Sequence, residues 1–309
     1  MGNYVVKRLL QTAIVFIGVT FIIFGAVFLI PGNPVAALGS GQPLPASTVH
    51  DLELKYHLNE PFLEQYGRYI LGLLQGNFGT SVDTGQSVSS LMAQAWPVTV
   101  TLALTAWAIE IVVGVTTGVL AALRRGGLYD RMVMFLTILA VSVPIFVAAF
   151  TAQYVLGVQF HLVPVAGTSD GWPMSYLVPG LVLALFSLAT VGRLTRASLL
   201  ESLSKEYVHT AVAKGLPKRW VIGKHALRNS IIPVITYLGI DLGFLLGGAI
   251  VIEGVFNLPG VGLLIFNAIE NKDGTVVVGV ATVFVLVFLL GNLVVDVLYA
   301  VLDPRVRYK

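Results

Sequence analysis

The sequence predicts an all-α integral membrane protein with six transmembrane helices and one large external loop after the first. Three observations predict it. The 309 residues are 56% hydrophobic and only 11% charged, against about 25% charge in a soluble domain, and the mean hydropathy is +0.85. Six apolar stretches approach the roughly 20 residues a helix needs to cross a bilayer. None alternates with period two, and an isolated strand could not satisfy its backbone in lipid. Finally, Lys and Arg collect on alternate connecting segments, sixteen on one side and three on the other. The positive-inside rule then places both termini in the cytoplasm.

The first span, Leu9–Ile30, follows Lys7 and Arg8. Its 22 residues exceed the apolar region of a signal peptide, and the following Pro31-Gly-Asn-Pro34 offers no small-x-small cleavage site. It is expected to be a retained anchor, making residues 1–30 a tail and first helix. Residues 31–97 form the external loop. Gly39–Pro45 is turn-rich. Thr48 and Asp51 have capping-box spacing for a short helix through Tyr56. Pro61 suits the first turn of a second helix, on which Phe62, Tyr66, Tyr69, Ile70, Leu73 and Leu74 make an apolar stripe until Gly76-Asn-Phe-Gly79 stops it. This helix reads as a cap packed on the membrane domain or lying in the headgroups, or as a surface for a soluble external partner.

The remaining spans are Val98–Leu123, Met132–Val158, Met174–Val191, Ile231–Ile252 and Thr275–Leu302, within a core of residues 98–309. Pro144 in the third and Pro233 at the start of the fifth each delete a backbone hydrogen bond and kink a helix. Gly239, Gly243, Gly247 and Gly248 have small-xxx-small spacing, which suits close packing inside the subunit or a helix lining a central pathway.

Between spans four and five lies a basic segment of residues 193–230. Within it, Glu206–Lys214 reads as a short helix with Tyr207, Val208, Ala211 and Val212 on one face, stopped by Gly215 and Pro217. Physics alone leaves two readings: a solvated basic loop that fixes topology or lies on anionic headgroups, or a docking knob. No Gly-x-x-x-x-Gly-Lys-Ser/Thr phosphate loop occurs, so any ATP-driven motor of that type sits on another chain. His-Glu-x-x-His and Gly-x-Ser-x-Gly are missing too, the five histidines are scattered, and there is no cysteine. No catalytic residue, metal site, cofactor or nucleic-acid partner is expected.

The pattern Glu206-Tyr-Val-x-Thr-Ala-x-Ala-Lys-Gly-Leu, followed by His225-Ala-Leu-Arg-Asn229 and Pro233, resembles the EAA-type coupling loop of ABC importer permeases. It is closest to the dipeptide, oligopeptide and nickel branch. The resemblance covers the whole chain. It takes in Arg8-Leu-Leu-Gln11, Leu29–Pro34, Leu58–Pro61, Gly76–Gly79, Gly247–Glu253, Phe256–Gly262 and Asp296–Arg305. The chain departs from the broad consensus at Tyr207-Val208, which narrows the match to the peptide branch, and at His209 and Val212, where relatives often carry Arg.

The resemblance implies a type I ABC importer fold in the cytoplasmic (inner) membrane. It implies a homologous second permease, two cytoplasmic ATPase subunits that bind ATP and Mg, an external substrate-binding protein and a peptide substrate. Glu206, Tyr207, Ala211, Val212, Lys214 and Gly215 would form the ATPase-coupling site. Asp241, Gly243 and Gly247 are candidate pathway residues. Three acidic residues, Glu110, Asp241 and Asp296, fall within spans, where charge is costly and a functional candidate by default. Asp241 either meets a peptide amino terminus or is hydrogen-bonded between helices. Rival readings are an ion-coupled transporter or channel, a scaffold, and an importer of the same family carrying nickel or haem.

Overall fold

The computed structural model describes residues 2–28, 47, 50 and 59–302, with side chains for 6–28, 47, 50, 59–247 and 249–293. The expected helix at Thr48–Tyr56 and the side chain of Asp296 lie outside these. The described chain is helical apart from turns and one isolated bridge between Thr80 and Ser87. It divides into two compact units, Met1–Thr99 with Pro259–Lys309, and Val100–Leu258.

Among the described residues, four helices are long and apolar enough to cross a membrane by themselves: α1 (Gly2–Phe28), α3 (Val88–Leu123), α6 (Met174–Leu203) and α11 (Gly274–Leu302). The bent pair α4 and α5 (Leu128–Ser142 and Ile145–Gln159) is a further candidate, and α9 (Ile232–Phe256) enters two more with the helices before and after it. Shorter helices are α2 (Phe62–Leu74), α7 (Glu206–Ala213), α8 (Lys218–Ser230) and α10 (Val261–Glu270).

In the first unit, α1 and α11 pack together and α2 lies against both through aromatic rings. Phe24 meets Phe62, Tyr66 and Tyr69, with ring centroids 5.4–5.6 Å apart. The stripe expected on α2 is therefore real for these residues, whereas Leu74 points outward. The turn before α11 is fixed by Asp273, which is buried. Its Oδ2 accepts from Ser81 Oγ at 2.6 Å and Val82 N at 3.0 Å, and its Oδ1 from Val276 N at 3.2 Å. Asp273 thus caps α11 and ties the loop to it. Residues 261–270 lie between the predicted fifth and sixth spans, where no helix is expected. Here Val261–Glu270 forms α10, its first amide donating to Thr99 Oγ1 at 2.8 Å. Ten residues are too few to span, and Pro259-Gly260 just ahead read as a loop.

In the second unit, the third span breaks at Pro144, where α4 and α5 meet at 102°. Val143 is extended, as a residue before proline is driven to be, and Pro144 N-caps α5. Pro233 sits in the first turn of α9, at a bend of 45° from α8. Short π-helical stretches interrupt the α-helix at Glu110–Val115, Gln153–Gln159 and Val221–Leu227.

The close helix approach in this unit differs from the expected one. A Cβ on Gly118 would stand 2.5 Å from the Gly192 carbonyl oxygen, and one on Gly114 2.9 Å from Val191 Cγ1. Gly114 and Gly118 of α3 thus seat its backbone against α6. On α9, by contrast, a Cβ at Gly247 would meet nothing within 4 Å. Gly118→Ala is therefore expected to lower stability by about 1–3 kcal/mol through overpacking, and Gly247→Ala to leave the purified subunit nearly unchanged. Thermal unfolding in detergent checks both.

Candidate functional site

The basic segment between spans four and five begins later than its sequence suggests. The fourth helix does not stop at Val191 but continues to Leu203, so Arg193 and Arg196 are helical. A 30-residue helix is about 45 Å long, which carries its last turns beyond the apolar layer. Arg196 then closes a bidentate pair with Asp130 at the start of α4, Nη2 to Oδ2 measuring 2.7 Å. The Gly126 amide donates to the same Oδ2 at 2.9 Å. Asp130 is 3% exposed. This clamp was missed in the sequence because Arg196 was placed in a loop.

Two residues past α6 the chain starts α7. Lys205 is extended and leads into Glu206, whose negative charge suits the positive end of the helix. Glu201 accepts from Lys205 Nζ at 2.9 Å, and that carboxylate raises the Lys205 pKa above its usual value. The end of α7 is a complete Schellman motif. Leu216 N donates to Ala211 O at 3.3 Å and Gly215 N to Val212 O at 2.9 Å, with Gly215 at φ +75°. A side chain at 215 has space but not the backbone conformation, so Gly215 serves as the expected stop.

The apolar face of α7 is turned inward. Val208 and Ala211 are 4% and 5% exposed and pack with Ala122 of α3, Leu199 of α6, and Val221 and Ala226 of α8. Ala211 was expected to meet a partner; its side chain is instead consumed by the subunit's own core. Tyr207 and Val212, at the two edges of that face, are 40% and 58% exposed. Glu206, His209 and Lys214 are exposed beside them. Past the turn, Leu216 and Trp220 are exposed as well, with Lys224 Nζ 5.4 Å from the Trp220 ring centroid. Sequence reasoning passed over Leu216 and Trp220; large apolar residues flanking Pro217 in an otherwise basic run were the available signal. The result is a knob rooted by two small side chains, with a mixed apolar and charged outer surface.

Further along α6, Ser187 Oγ donates to Asp241 Oδ1 of α9 at 2.8 Å. Asp241 is buried, and Glu110 of α3 lies wholly buried beside its carboxyl. Trp107 Nε1 donates to Leu238 O at 3.0 Å, so α3 also grips α9 directly. Asp241 thus joins the packed face of α9 that carries Val234, Leu238, Leu245 and Ile252. Within the subunit Asp241 is a hydrogen-bonded carboxyl between helices, one of the two roles its sequence position left open. Gly243 is half-buried and Gly247 exposed, on the other side of α9 together with Phe244 and Val251. Glu253, beyond the expected end of the span, is inside α9 and fully buried. Among the described residues, no group of His, Cys, Asp and Glu could hold a metal ion.

Comparison with known proteins gives a single answer. Residues 114–308 match the family described as "Binding-protein-dependent transport system inner membrane component", and residues 1–103 match its N-terminal domain. The glutathione transport system permease protein GsiC of Escherichia coli K12 is 38% identical over 309 residues, covering 100% of both chains. The GsiC protein of Salmonella paratyphi A is equally similar. Two inward-facing crystal forms of the MetNI methionine ABC transporter share the fold at 17–18% identity. Their TM-scores are 0.58 and 0.53, covering 69% and 67% of this chain and 96% and 95% of theirs. Together with the helical fold and its several apolar helices, these matches place the chain in the family of inner-membrane components of binding-protein-dependent transport systems, as a multi-pass permease subunit of an ABC importer.

Proposed function

We propose that this subunit forms half of the translocation pathway of a short-peptide importer and receives the ATPase stroke through α7. The observation that carries the reading is the two-sided character of α7. Val208 and Ala211 root it in the subunit, while Tyr207, Val212, Leu216 and Trp220 remain exposed among charged neighbours. A helix so fixed transmits displacement rather than absorbing it. A push on α7 passes to Leu199 and so to α6. The Arg196–Asp130 clamp carries it to α4, and the Ser187–Asp241 bond to α9. The spans then turn together, as rigid-body alternating access requires.

The partners in this reading are a homologous permease, two cytoplasmic ATPase subunits that hold ATP and Mg, and an external binding protein that selects the cargo. Both termini lie in the cytoplasm, as the charge distribution favours. The peptide class is supported by the full-length similarity to permeases named for glutathione, itself a tripeptide. The exposed face of α9 at Gly243 and Gly247 is the part of the span free to line the pathway between permeases. Gly247 is exposed there, and a Cβ on it would meet nothing within 4 Å.

Two outcomes test the coupling route. Tyr207→Glu with Val212→Glu abolishes both co-purification of the ATPase and labelled-peptide uptake, while the melting temperature of the purified subunit stays unchanged. Retained uptake removes this surface from the docking site. Arg196→Met leaves Asp130 buried and unpaired, and is expected to cost about 3–5 kcal/mol. Adding Asp130→Leu recovers most of that stability, read by denaturation of the detergent-solubilised subunit.

A further inference from the structure

The loop helix α2 has three sectors around its circumference. Phe62, Tyr66, Tyr69 and Leu73 face the protein. Glu64, Arg68 and Gln65 form a polar edge, with Arg68 Nη2 held 2.8 Å from Glu60 Oε1. The third sector holds Leu63, Gly67, Leu71 and Leu74, adjoining one another at helical spacing. Its leucines are 69%, 62% and 81% exposed. A helix in water at the rim of a membrane protein has no reason to show three leucines on a face of its own.

The contacts of α2 fix its depth. Tyr66 Oη donates to Ile17 O at 3.0 Å and lies 3.0 Å from Thr20 Oγ1. Thr20 stands eight residues inside the end of α1 at Phe28. Tyr69 Oη donates to Thr282 Oγ1 at 2.7 Å, and Thr282 stands eight residues inside the start of α11 at Gly274. Those two ends are level, since a Cβ on Gly274 would stand 2.8 Å from Val27 Cγ1. Eight residues of helix rise about 12 Å, of a hydrocarbon layer of about 30 Å. Two tyrosines one turn apart thus reach two different spans at one depth, so α2 crosses the spans rather than running along them. Beside it, Phe21 of α1 packs edge-on against Phe62 and Tyr66 of α2 and is still 40% exposed, and Ile17 and Ile22 of α1 are exposed too, so the two helices share an uncovered apolar surface.

We infer that α2 is an interfacial membrane helix. Leu63, Leu71 and Leu74 insert among acyl chains of the leaflet bordering the loop, external by the charge distribution, while Glu64 and Arg68 stay at headgroup level. The occupant of this face is lipid, in continuity with the lipid-facing side of α1. Amphipathic helices lying in the membrane plane bury their apolar face about 5–10 Å into the headgroup and acyl boundary, and the tyrosine hydroxyls, bonded about 12 Å inside the ends of α1 and α11, reach just below that boundary. Arg68 keeps its charge in the polar layer by extending its long side chain upward. The inference is independent of the ATPase-docking reading.

The chain has no cysteine, so single nitroxide labels can be placed directly. The full-length permease in its complex is reconstituted in nanodiscs of phosphatidylethanolamine and phosphatidylglycerol, labelled singly at Leu63→Cys, Leu71→Cys, Leu74→Cys, Glu64→Cys and Arg68→Cys. Collision with oxygen, which partitions into acyl chains, is compared with collision with a water-soluble nickel chelate. The expected result is an oxygen-to-nickel ratio several-fold higher at 63, 71 and 74 than at 64 and 68. Equal ratios at all five sites overturn the proposal, because α2 would then be a hydrated cap. Exclusion of both reagents at 63, 71 and 74 also overturns it, because protein would then cover the face. These side chains are exposed, and thermal unfolding of each labelled complex confirms that it is folded.

Discussion

The arrangement depends on a short polar helix being anchored to a membrane-crossing rod by very little apolar surface. Val208 and Ala211 are the only α7 residues buried among those described, and they meet Leu199 and Ala122 where α6 and α3 emerge from the apolar layer. Burying a valine is worth on the order of 2 kcal/mol, and an alanine less. That is enough to fix the orientation of α7 when the Schellman turn at Gly215 and the return helix α8 already bracket it. The outer surface is left free, and large side chains can stand there without competing for the core.

Below this joint, polar contacts do what apolar contacts between helices do poorly in a membrane. Lipid tails are as apolar as leucine, so helices associate through close packing and hydrogen bonds. The glycines of α3 bring its backbone against α6, the Arg196–Asp130 pair joins α6 to α4, and Ser187 joins α6 to Asp241 on α9. A buried pair stabilises weakly in net terms but is costly to break. It therefore acts as a positional lock, holding the helices in one relative arrangement while they move.

Much of this was legible. The helical membrane fold and the polar knob followed from hydropathy and charge. The stop at Gly215 followed from turn chemistry and the break at Pro144 from the missing amide. What periodicity could not decide was which partner takes the apolar face of α7, since inward and outward use give the same pattern. The length of α6 was misread because arginines were taken as leaving the helix when they had only left the lipid. For Asp241 the sequence left two roles open, and its register with Val234, Leu238, Leu245 and Ile252 agrees with the hydrogen-bonded place between helices. For Gly247 the small-residue spacing left close packing and a pathway lining equally open, because it says that helices can approach, not that they do.

Anchored through Val208 and Ala211, α7 moves with α6 as one body. Nitroxides at His209→Cys on α7 and Leu177→Cys near the start of α6 report it directly, as the distance between them in the assembled importer without nucleotide and with ATP trapped. Rigid coupling gives an unchanged distance across the two states, alongside a changed distance from the His209 label to one on the partner permease. A shift between the two labels within this subunit, with no change toward the partner, would contradict it.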